Sequence, residues 1–314
     1  RDDVESRGLG DVYKRQYPDR AMDHLTALAS DGTRRSRIQA VILPSLMEWL
    51  SDTVDPDAGL LAYRKLSEAA SDRSWFLRLL RDENIVGQRL MHILGTSPYV
   101  TDLFLAAPDA VTLLSDGATG PKLLEKDAGV ISHSLVAAAG RYRDPDKAIS
   151  VARSLRRTEL ARVAAADLLG MMDVPEVARS LSFVWDAVLE AALSAEIRAW
   201  EDANRRNAPA VVTVIGMGRL GGAELSYRSD ADVLFVCEPV RSGAGSSASS
   251  SSGDGGGTRD GDADGDGFAV TDNDAVTWAI GICDRLRTRL AKPSQDPPLS
   301  LIHISEPTRL DVIS

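Results

Sequence analysis

The sequence predicts an α+β protein, in which an all-helical N-terminal segment precedes a domain built on a small sheet. Apolar residues recur at helical spacing from about residue 38 to residue 204. Two apolar runs of strand length follow, at residues 211–215 and 233–236, with a glycine-rich turn between them. Another helical pattern covers residues 274–290. Helices first and strands afterwards is the order of an α+β chain, not of alternating α/β units.

Capping residues mark where the N-terminal helices begin. Asp55 and Ser97 each stand directly before a proline, so each places a capping side chain ahead of a proline at the first helical position. Trp75 and Phe76 belong to an apolar stripe at helical spacing, which is typical of a core. We therefore expect a run of short packed helices here.

Longer helices are expected after a break at residues 117–120. One of them ends near Gly170, and Asp173 then caps a helix that we expect to run to about Asn204. Four arginines give the first of these helices a basic side. They are Arg153, Arg156, Arg157 and Arg162. A solvated face is the default interpretation, and contact with an acidic partner or a nucleotide is the alternative.

The glycine-rich turn at residues 216–221 permits close approach of backbone N–H groups to a phosphate. Its glycines satisfy the G-x-G-x-x-G pattern after a strand, and Glu238 stands about where a dinucleotide fold keeps its ribose-binding acid. A parallel crossover needs a dozen or more residues, however, and only residues 222–229 precede Asp230. The spacing therefore argues against a dinucleotide site.

Asp230 and Asp232 favour a metal site instead. Residues two apart at the mouth of a strand project to the same side. Two carboxylates so placed can hold Mg²⁺, which keeps substrate phosphates among its other ligands, as nucleotidyl transfer requires. The structural alternative is a Ser-Asp-x-Asp turn that only caps the strand.

Residues 216–225 (GMGRLGGAEL) followed by SDAD at 229–232 resemble the signature of glutamine synthetase adenylyltransferases of the bifunctional, actinobacterial type. These enzymes are a branch of the polymerase-β-like nucleotidyltransferases. Residues 55–64, 94–100 and 156–170 also resemble this family, so the similarity covers most of residues 38–298. It implies a polymerase-β-like domain with a small mixed sheet, which is truncated here.

The resemblance implies a role for each matching residue. Asp230 and Asp232 are the expected catalytic and Mg²⁺-binding pair. The expected phosphate pocket is formed by Gly218, Arg219, Gly221, Gly222 and Ser229. The implied activity is transfer of AMP from ATP to a tyrosine of glutamine synthetase, with PII-type signalling proteins as regulators. The family has an adding and a removing unit, and the preceding helical segment favours the adding one.

The expected division of the chain follows from composition and resemblance. Residues 1–16 and 300–314 resemble translated sequencing adapters, so we expect a clipped piece of a longer protein. Between them we expect a helical inter-domain region (17–116), a helical lead-in (117–207) and a partial nucleotidyltransferase domain (208–299), in which an acidic Ser/Gly/Asp insert at 241–267 is disordered. Its Asp262-x-Asp-x-Asp-Gly267 pattern lacks the glutamate of a calcium loop.

The truncation also predicts inactivity. In the family, a strand after residue 298 carries a third carboxylate, whereas no acid follows here until Glu306. We expect the chain to retain two of three carboxylates, to transfer little or no AMP, and to leave an open sheet edge.

Composition excludes several classes of function. The net charge is −10, of which five Asp and two Arg in the insert supply −3, so the basic footprint of a nucleic-acid binder is lacking. No long apolar stretch or signal peptide is evident, which predicts a cytoplasmic protein without a membrane partner. We expect Cys237 and Cys283 to be reduced and structural. The four histidines, His24, His92, His133 and His303, lack the spacing of metal ligands.

Three rival functions remain open at this point. The first is another protein-modifying nucleotidyltransferase, such as a uridylyltransferase acting on PII-type proteins, although that branch carries a shorter glycine loop. The second is an NAD-dependent oxidoreductase built on the G-x-G-x-x-G turn. The third is a non-catalytic helical regulatory module in which the sheet is only a scaffold.

Overall fold

The computed structural model describes residues 18–124, 127–240 and 271–292, and the backbone of residues 301–309. The helices are α1 Pro18–Ala29, α2 Arg34–Ser51, α3 Pro56–Ala69, α4 Ser74–Asp82, α5 Asn84–Thr96, α6 Pro98–Ala106, α7 Ala128–Ala139, α8 Pro145–Leu168, α9 Val174–Asn204, α10 Gly218–Gly221 and α11 Asp272–Leu290. The strands are β1 Asp116–Gly117, β2 Gly120–Pro121, β3 Ala210–Gly216, β4 Ala231–Pro239 and β5 Leu301–Arg309, and short 3₁₀ helices cover Pro108–Leu114 and Lys122–Leu124. The acidic insert and its calcium-like pattern lie outside the described residues.

Helices α1 to α6 form a bundle whose starts follow the predicted caps. The Asp55 carboxylate accepts a hydrogen bond from the backbone N–H of Ala58, and the Ser97 hydroxyl accepts one from Val100. The interior of the bundle is apolar apart from a few hydrogen-bonded groups. Its largest fully buried side chains include Tyr63, Phe76, Phe104, Leu90 and Met91. The predicted helical segment is confirmed.

Helices α8 and α9 pack along each other and connect this bundle to the sheet. Asp173 and Glu176 form a reciprocal capping box at the start of α9, and the helix ends at Asn204, as predicted. Its 31 residues give it a length of about 46 Å. None of the helices in the described ranges has the length and apolar character needed to cross a membrane.

The basic side of α8 is buried, so the expectation of a solvated face was wrong. Arg153, Arg156 and Arg162 are 4–7% exposed. Arg162 pairs with Glu159 and donates to the carbonyl of Leu123. Arg153 and Arg162 bond to groups on other elements, and Arg156 lies 5.4 Å from the centre of the Trp185 ring of α9. Such long-range partners explain why helical spacing alone did not predict their burial.

Arg153 joins α8 to the C-terminal end of α11. Its guanidinium donates to the carbonyl oxygens of Leu290 and Lys292, the latter at 3.0 Å. The last carbonyls of a helix have no partner within the helix, so a buried arginine here both satisfies them and complements the helix dipole. Nearby, Asp146 of α8 pairs with Arg289 and Lys292. Helix α11 is thus fastened to the helical segment at one end.

The larger sheet has the strand order β3-β4-β5. Strands β3 and β4 are antiparallel, with Val211 opposite Glu238 and Gly216 opposite Val233, whereas β4 and β5 are parallel. The predicted small mixed sheet is confirmed. The antiparallel pair also contradicts the dinucleotide reading, because a Rossmann unit requires parallel strands joined by a crossover helix.

The second edge of β4 is not open. Leu301–Arg309 pairs with it in parallel although residues 300–314 resemble adapter sequence, so the expectation of an open edge beside β4 was wrong. A β-ladder is formed by backbone groups, so a segment of almost any composition can occupy it. Ser305 pairs with Leu234 and Thr308 with Val236, which puts Glu306 farther along the sheet than Asp232. The origin of this segment remains a prediction.

One face of the sheet is covered by α11. Buried side chains of this helix, among them Ile282, Cys283 and Leu286, pack in the same core as Val212 and Phe235. On this helix Ala275 and Ala279 are fully buried, whereas Val276 and Ile280 are only half-buried. The other face of β3 is open, with Val211 58% and Ile215 40% exposed.

Candidate functional site

The site is built on the turn that joins β3 to β4. The backbone N–H of Met217, the first residue after β3, donates to the carbonyl oxygen of Asp232 at 2.8 Å. This bond extends the antiparallel ladder by one pair beyond Gly216 and Val233. Residues directly opposite each other in such a ladder share a face, so Asp232 lies on the face that α11 does not cover.

Two observations favour glycine at position 218. Its φ of +51° is in the left-handed region, which costs a residue with a side chain about 1–2 kcal/mol. A β-carbon added there would also lie 3.3 Å from Oδ2 of Asp232. The glycine therefore leaves open the space directly beside this carboxylate.

Gly221 allows a second close approach. A β-carbon on Gly221 would collide with the carbonyl oxygen of Gly216, so the short helix α10 can fold back against the end of β3 only with glycine here. At Gly222 the nearest atoms to such a β-carbon are 3.5 Å away, an ordinary contact, and nothing in the structure requires glycine there. Arg219 is exposed on the same turn.

Ser229 shapes the loop that leads into β4. Its hydroxyl accepts a hydrogen bond from the backbone N–H of Ser226 at 3.0 Å and lies 2.7 Å from the Ser226 hydroxyl. The backbone N–H of Ser229 in turn donates to the carbonyl of Ser226 at 3.1 Å. Ser229 thus closes a tight turn immediately before the first aspartate.

Asp230 and Asp232 are placed together at the start of β4. Asp230 is exposed and precedes the strand, while Asp232 is half-buried and belongs to it. Neither carboxylate forms an ion pair within the part of the chain that the structure describes. Two carboxylates near an open space are a donor set suited to a hard cation.

Mg²⁺ is the cation that this pair fits best. It takes oxygen ligands and usually keeps water and substrate phosphates, so one or two carboxylates suffice from the protein. The described residues contain no group of three or more His, Cys, Asp or Glu side chains able to hold a metal. The two aspartates would therefore suit Mg²⁺ held with water and substrate oxygens better than a closed structural metal site.

The loop between α10 and β4 is anchored to the helices, which the sequence reasoning missed. Tyr227 donates its phenolic hydrogen to Oδ2 of Asp167 at 2.7 Å, and its ring lies 5.5 Å from that of Tyr99. Leu225 is 2% exposed. The sequence does contain an indication of this anchoring. Leu225 and Tyr227 are large side chains in an otherwise small and polar stretch, and such a pattern is typical of a loop with a buried face.

The cysteines play no part in this site. Cys237 and Cys283 are both buried and free. Burial raises the pKa of both thiols, that of Cys283 to about 12. A thiol with a raised pKa is a poor nucleophile near neutral pH, which agrees with the expected structural role.

Comparison with known proteins shows the family. Residues 87–254 match the family model for glutamate-ammonia ligase adenylyltransferase, which is more than half of the chain. The chain therefore belongs to the glutamate-ammonia ligase adenylyltransferase family. The matched residues include the glycine turn, both aspartates, Asp167 and Tyr227.

Relatives of this adenylyltransferase-family chain are found in actinobacteria. It is 58% identical over 289 residues to the bifunctional glutamine synthetase adenylyltransferase/adenylyl-removing enzyme of Corynebacterium diphtheriae. The proteins of the same name from Corynebacterium glutamicum and Mycobacterium avium are 55% and 50% identical over 287 residues. These matches cover 90–91% of the chain and 25–26% of each relative. The chain thus spans about a quarter of their length.

Proposed function

We propose that the chain carries part of the catalytic centre of an enzyme that transfers AMP from ATP to a tyrosine of glutamine synthetase. The observation that carries the proposal is the antiparallel turn that sets Gly218 against the Asp232 carboxylate on the open face of the sheet. The names of the relatives support adenylyl transfer to glutamine synthetase as the activity of the whole protein.

Each residue of the turn has a role in this proposal. Asp230 and Asp232 hold Mg²⁺, and Gly218 and Gly221 let the backbone come close to the phosphates of ATP. When bound, the ion neutralises the phosphates and orients an in-line displacement. Arg219 adds positive charge beside the phosphates. Gly222 and Ser229 complete the turn that keeps this pocket in shape.

The reaction needs one further group. The tyrosine oxygen forms a bond to the α-phosphorus, the bond to the bridging oxygen breaks, and pyrophosphate leaves while the hydroxyl proton passes to a base. The described residues supply two carboxylates and no third one beside them. We propose that this chain binds Mg²⁺ and ATP weakly and transfers little or no AMP.

The direction of the reaction and the donor nucleotide are also proposals. The helical segment before the sheet favours the adding unit over the removing one. A uridylyltransferase acting on PII-type proteins is the enzyme alternative, and UTP binding in preference to ATP would support it. The family resemblance supports PII-type proteins as regulators. The net charge of −10 argues against a nucleic-acid partner, and the sequence without a long apolar stretch favours a cytoplasmic location without a membrane partner.

Calorimetric titration of the full chain with ATP, with and without MgCl₂, tests the proposal. We expect Mg²⁺-dependent binding that is lost in Asp232→Asn. Glu238→Gln is the matched control, because it removes an exposed acid at the other end of the same strand. Equal binding by all three proteins would refute the proposed site and favour a non-catalytic module. Transfer of a labelled adenylyl group to glutamine synthetase by the wild-type chain would refute the predicted inactivity.

A further inference from the structure

The two aspartates of the site are held by different means. Asp232 belongs to β4, where ladder hydrogen bonds fix its backbone. Asp230 lies one residue before the strand, at the end of a loop without regular structure. The separation of the two carboxylates therefore depends on what holds that loop, because a metal tolerates only small errors in ligand position.

Three helices hold the loop. Tyr227 bonds to Asp167 of α8 and packs on Tyr99 of α6. The Arg228 guanidinium lies 5.4 Å from the centre of the Tyr99 ring, within the range of a cation–π contact. The backbone N–H of Leu225 donates to the hydroxyl of Ser182 of α9 at 3.4 Å.

The Tyr227 hydroxyl is a stable donor in this contact. Burial raises its pKa, and the neighbouring Asp167 carboxylate, which accepts its hydrogen, raises it further. The phenol therefore keeps its proton throughout the physiological range. Only two residues, Arg228 and Ser229, separate Tyr227 from Asp230, and the Ser226–Ser229 turn makes that connection short and stiff.

We propose that the Tyr227–Asp167 hydrogen bond is a positioning contact through which the helical segment sets Asp230 beside Asp232. The inference rests on the proposed function for the identity of the metal site. It predicts that loss of the Tyr227 hydroxyl, which is not itself a metal ligand, weakens divalent-ion binding without unfolding the chain. Loss of partners that orient metal ligands commonly lowers metal affinity by roughly 10- to 100-fold.

Mn²⁺ binding, measured by electron paramagnetic resonance on the full chain, is the first readout. Amide hydrogen exchange of residues 226–231 without metal or nucleotide is the second. Tyr227→Phe removes the hydroxyl and keeps the ring. Tyr63→Phe is the matched control, because the Tyr63 hydroxyl donates to Gln39 in the fully buried core of the N-terminal bundle, away from the site. Asp167→Ala removes the acceptor, and Asp167→Asn keeps a carbonyl oxygen in its place.

The expected result is that Tyr227→Phe and Asp167→Ala speed exchange at residues 226–231 and weaken Mn²⁺ binding roughly tenfold or more. Asp167→Asn should restore most of both properties, and Tyr63→Phe should change neither. Wild-type Mn²⁺ affinity in Tyr227→Phe, or an equal loss in Tyr63→Phe, overturns the inference and leaves the proposed function standing. Mn²⁺ binding that responds as expected in a chain that does not bind ATP refutes the proposed function alone. A wild-type chain that takes up no Mn²⁺ overturns both.

Discussion

Gly218 of the glycine turn lies directly beside the Asp232 carboxylate. A β-carbon on Gly218 would lie 3.3 Å from the Asp232 carboxylate oxygen, and the backbone there has a φ of +51°. The two residues come from opposite ends of the turn between β3 and β4. Their contact explains why a glycine is needed at the position where a phosphate-binding turn meets a metal-binding strand.

Gly218→Ala should therefore impair the site more than the fold. The methyl group adds backbone strain, which we expect to lower the free energy of unfolding by about 1–2 kcal/mol. It also crowds the Asp232 carboxylate, so Mg²⁺-dependent ATP binding should fall severalfold or vanish. Urea unfolding and calorimetric titration measure the two effects separately.

Gly32→Ala is the control for backbone strain. Gly32 has a φ of +70° and no atom within 4 Å of an added β-carbon, and it lies between α1 and α2. Its stability loss should be similar, with ATP binding unchanged. If Gly32→Ala and Gly218→Ala reduced ATP binding equally, the contact between Gly218 and Asp232 would have no special role.

Local signals in the sequence were sufficient to predict the helix starts and the antiparallel turn of the site. The caps at Asp55, Ser97 and Asp173 each bond to a backbone N–H three residues later, so they can be identified from the sequence. The turn could be predicted in the same way. The short spacing between the two apolar runs excluded a crossover helix, and the structure shows that the two strands are antiparallel.

Contacts between distant residues could not be predicted in this way. Arg153 bonds to carbonyls 137 and 139 residues later, and Tyr227 bonds to a carboxylate 60 residues earlier. A basic helix side has the same spacing whether it faces water or the carbonyls of another helix. Long-range partners decide its burial, and helical periodicity carries no information about them.

Arg153→Met should destabilise the chain at the contact between α8 and α11. The side chain is 7% exposed and donates to the carbonyls of Leu290 and Lys292, which methionine leaves without this donor. Loss of buried hydrogen bonds from a charged group predicts a decrease of about 2–4 kcal/mol in the free energy of unfolding. Urea unfolding followed by tryptophan fluorescence is a suitable measurement, because Trp200 of α9 and Trp278 of α11 lie 5.5 Å apart.

Arg37→Met provides the comparison for this experiment. Arg37 is an exposed arginine of α2, so its replacement should change stability by no more than about 0.5 kcal/mol. Equal losses in the two variants would contradict a specific role of Arg153 at the end of α11.

The Asp146 carboxylate should stabilise the folded chain to an extent that depends on pH. Hydrogen bonds from Arg289 and Lys292 hold its pKa below the ordinary value of 3.8. A carboxylate whose pKa is lower in the folded state stabilises the fold above the pKa of the unfolded chain, and this contribution is lost as the pH falls through the folded value. The urea midpoints of wild type and Asp146→Asn should therefore differ at about pH 6–7, which is about two units or more above 3.8. They should converge as the pH falls below about 3.8.

Salt provides an independent check on Asp146. The ion pairs are largely exposed, since the side chains of Asp146 and Lys292 are 55% and 56% accessible. Screening should reduce the difference between wild type and Asp146→Asn at about 1 M NaCl. A difference that persisted unchanged at acid pH and in high salt would have to come from packing rather than charge.

The two cysteines should be protected from alkylation as long as the chain is folded. Burial raises the pKa of the Cys283 thiol from 9.0 to about 12, and the pKa of Cys237 is raised as well. Because the thiolate is the reactive form, iodoacetamide should modify the folded chain slowly at pH 7 and gain little rate up to pH 9. In urea, the rate should rise steeply with pH around 9. Mass spectrometry of the two cysteine peptides measures both rates, and rapid modification of either thiol in the folded chain would contradict the close packing of α11 on the sheet.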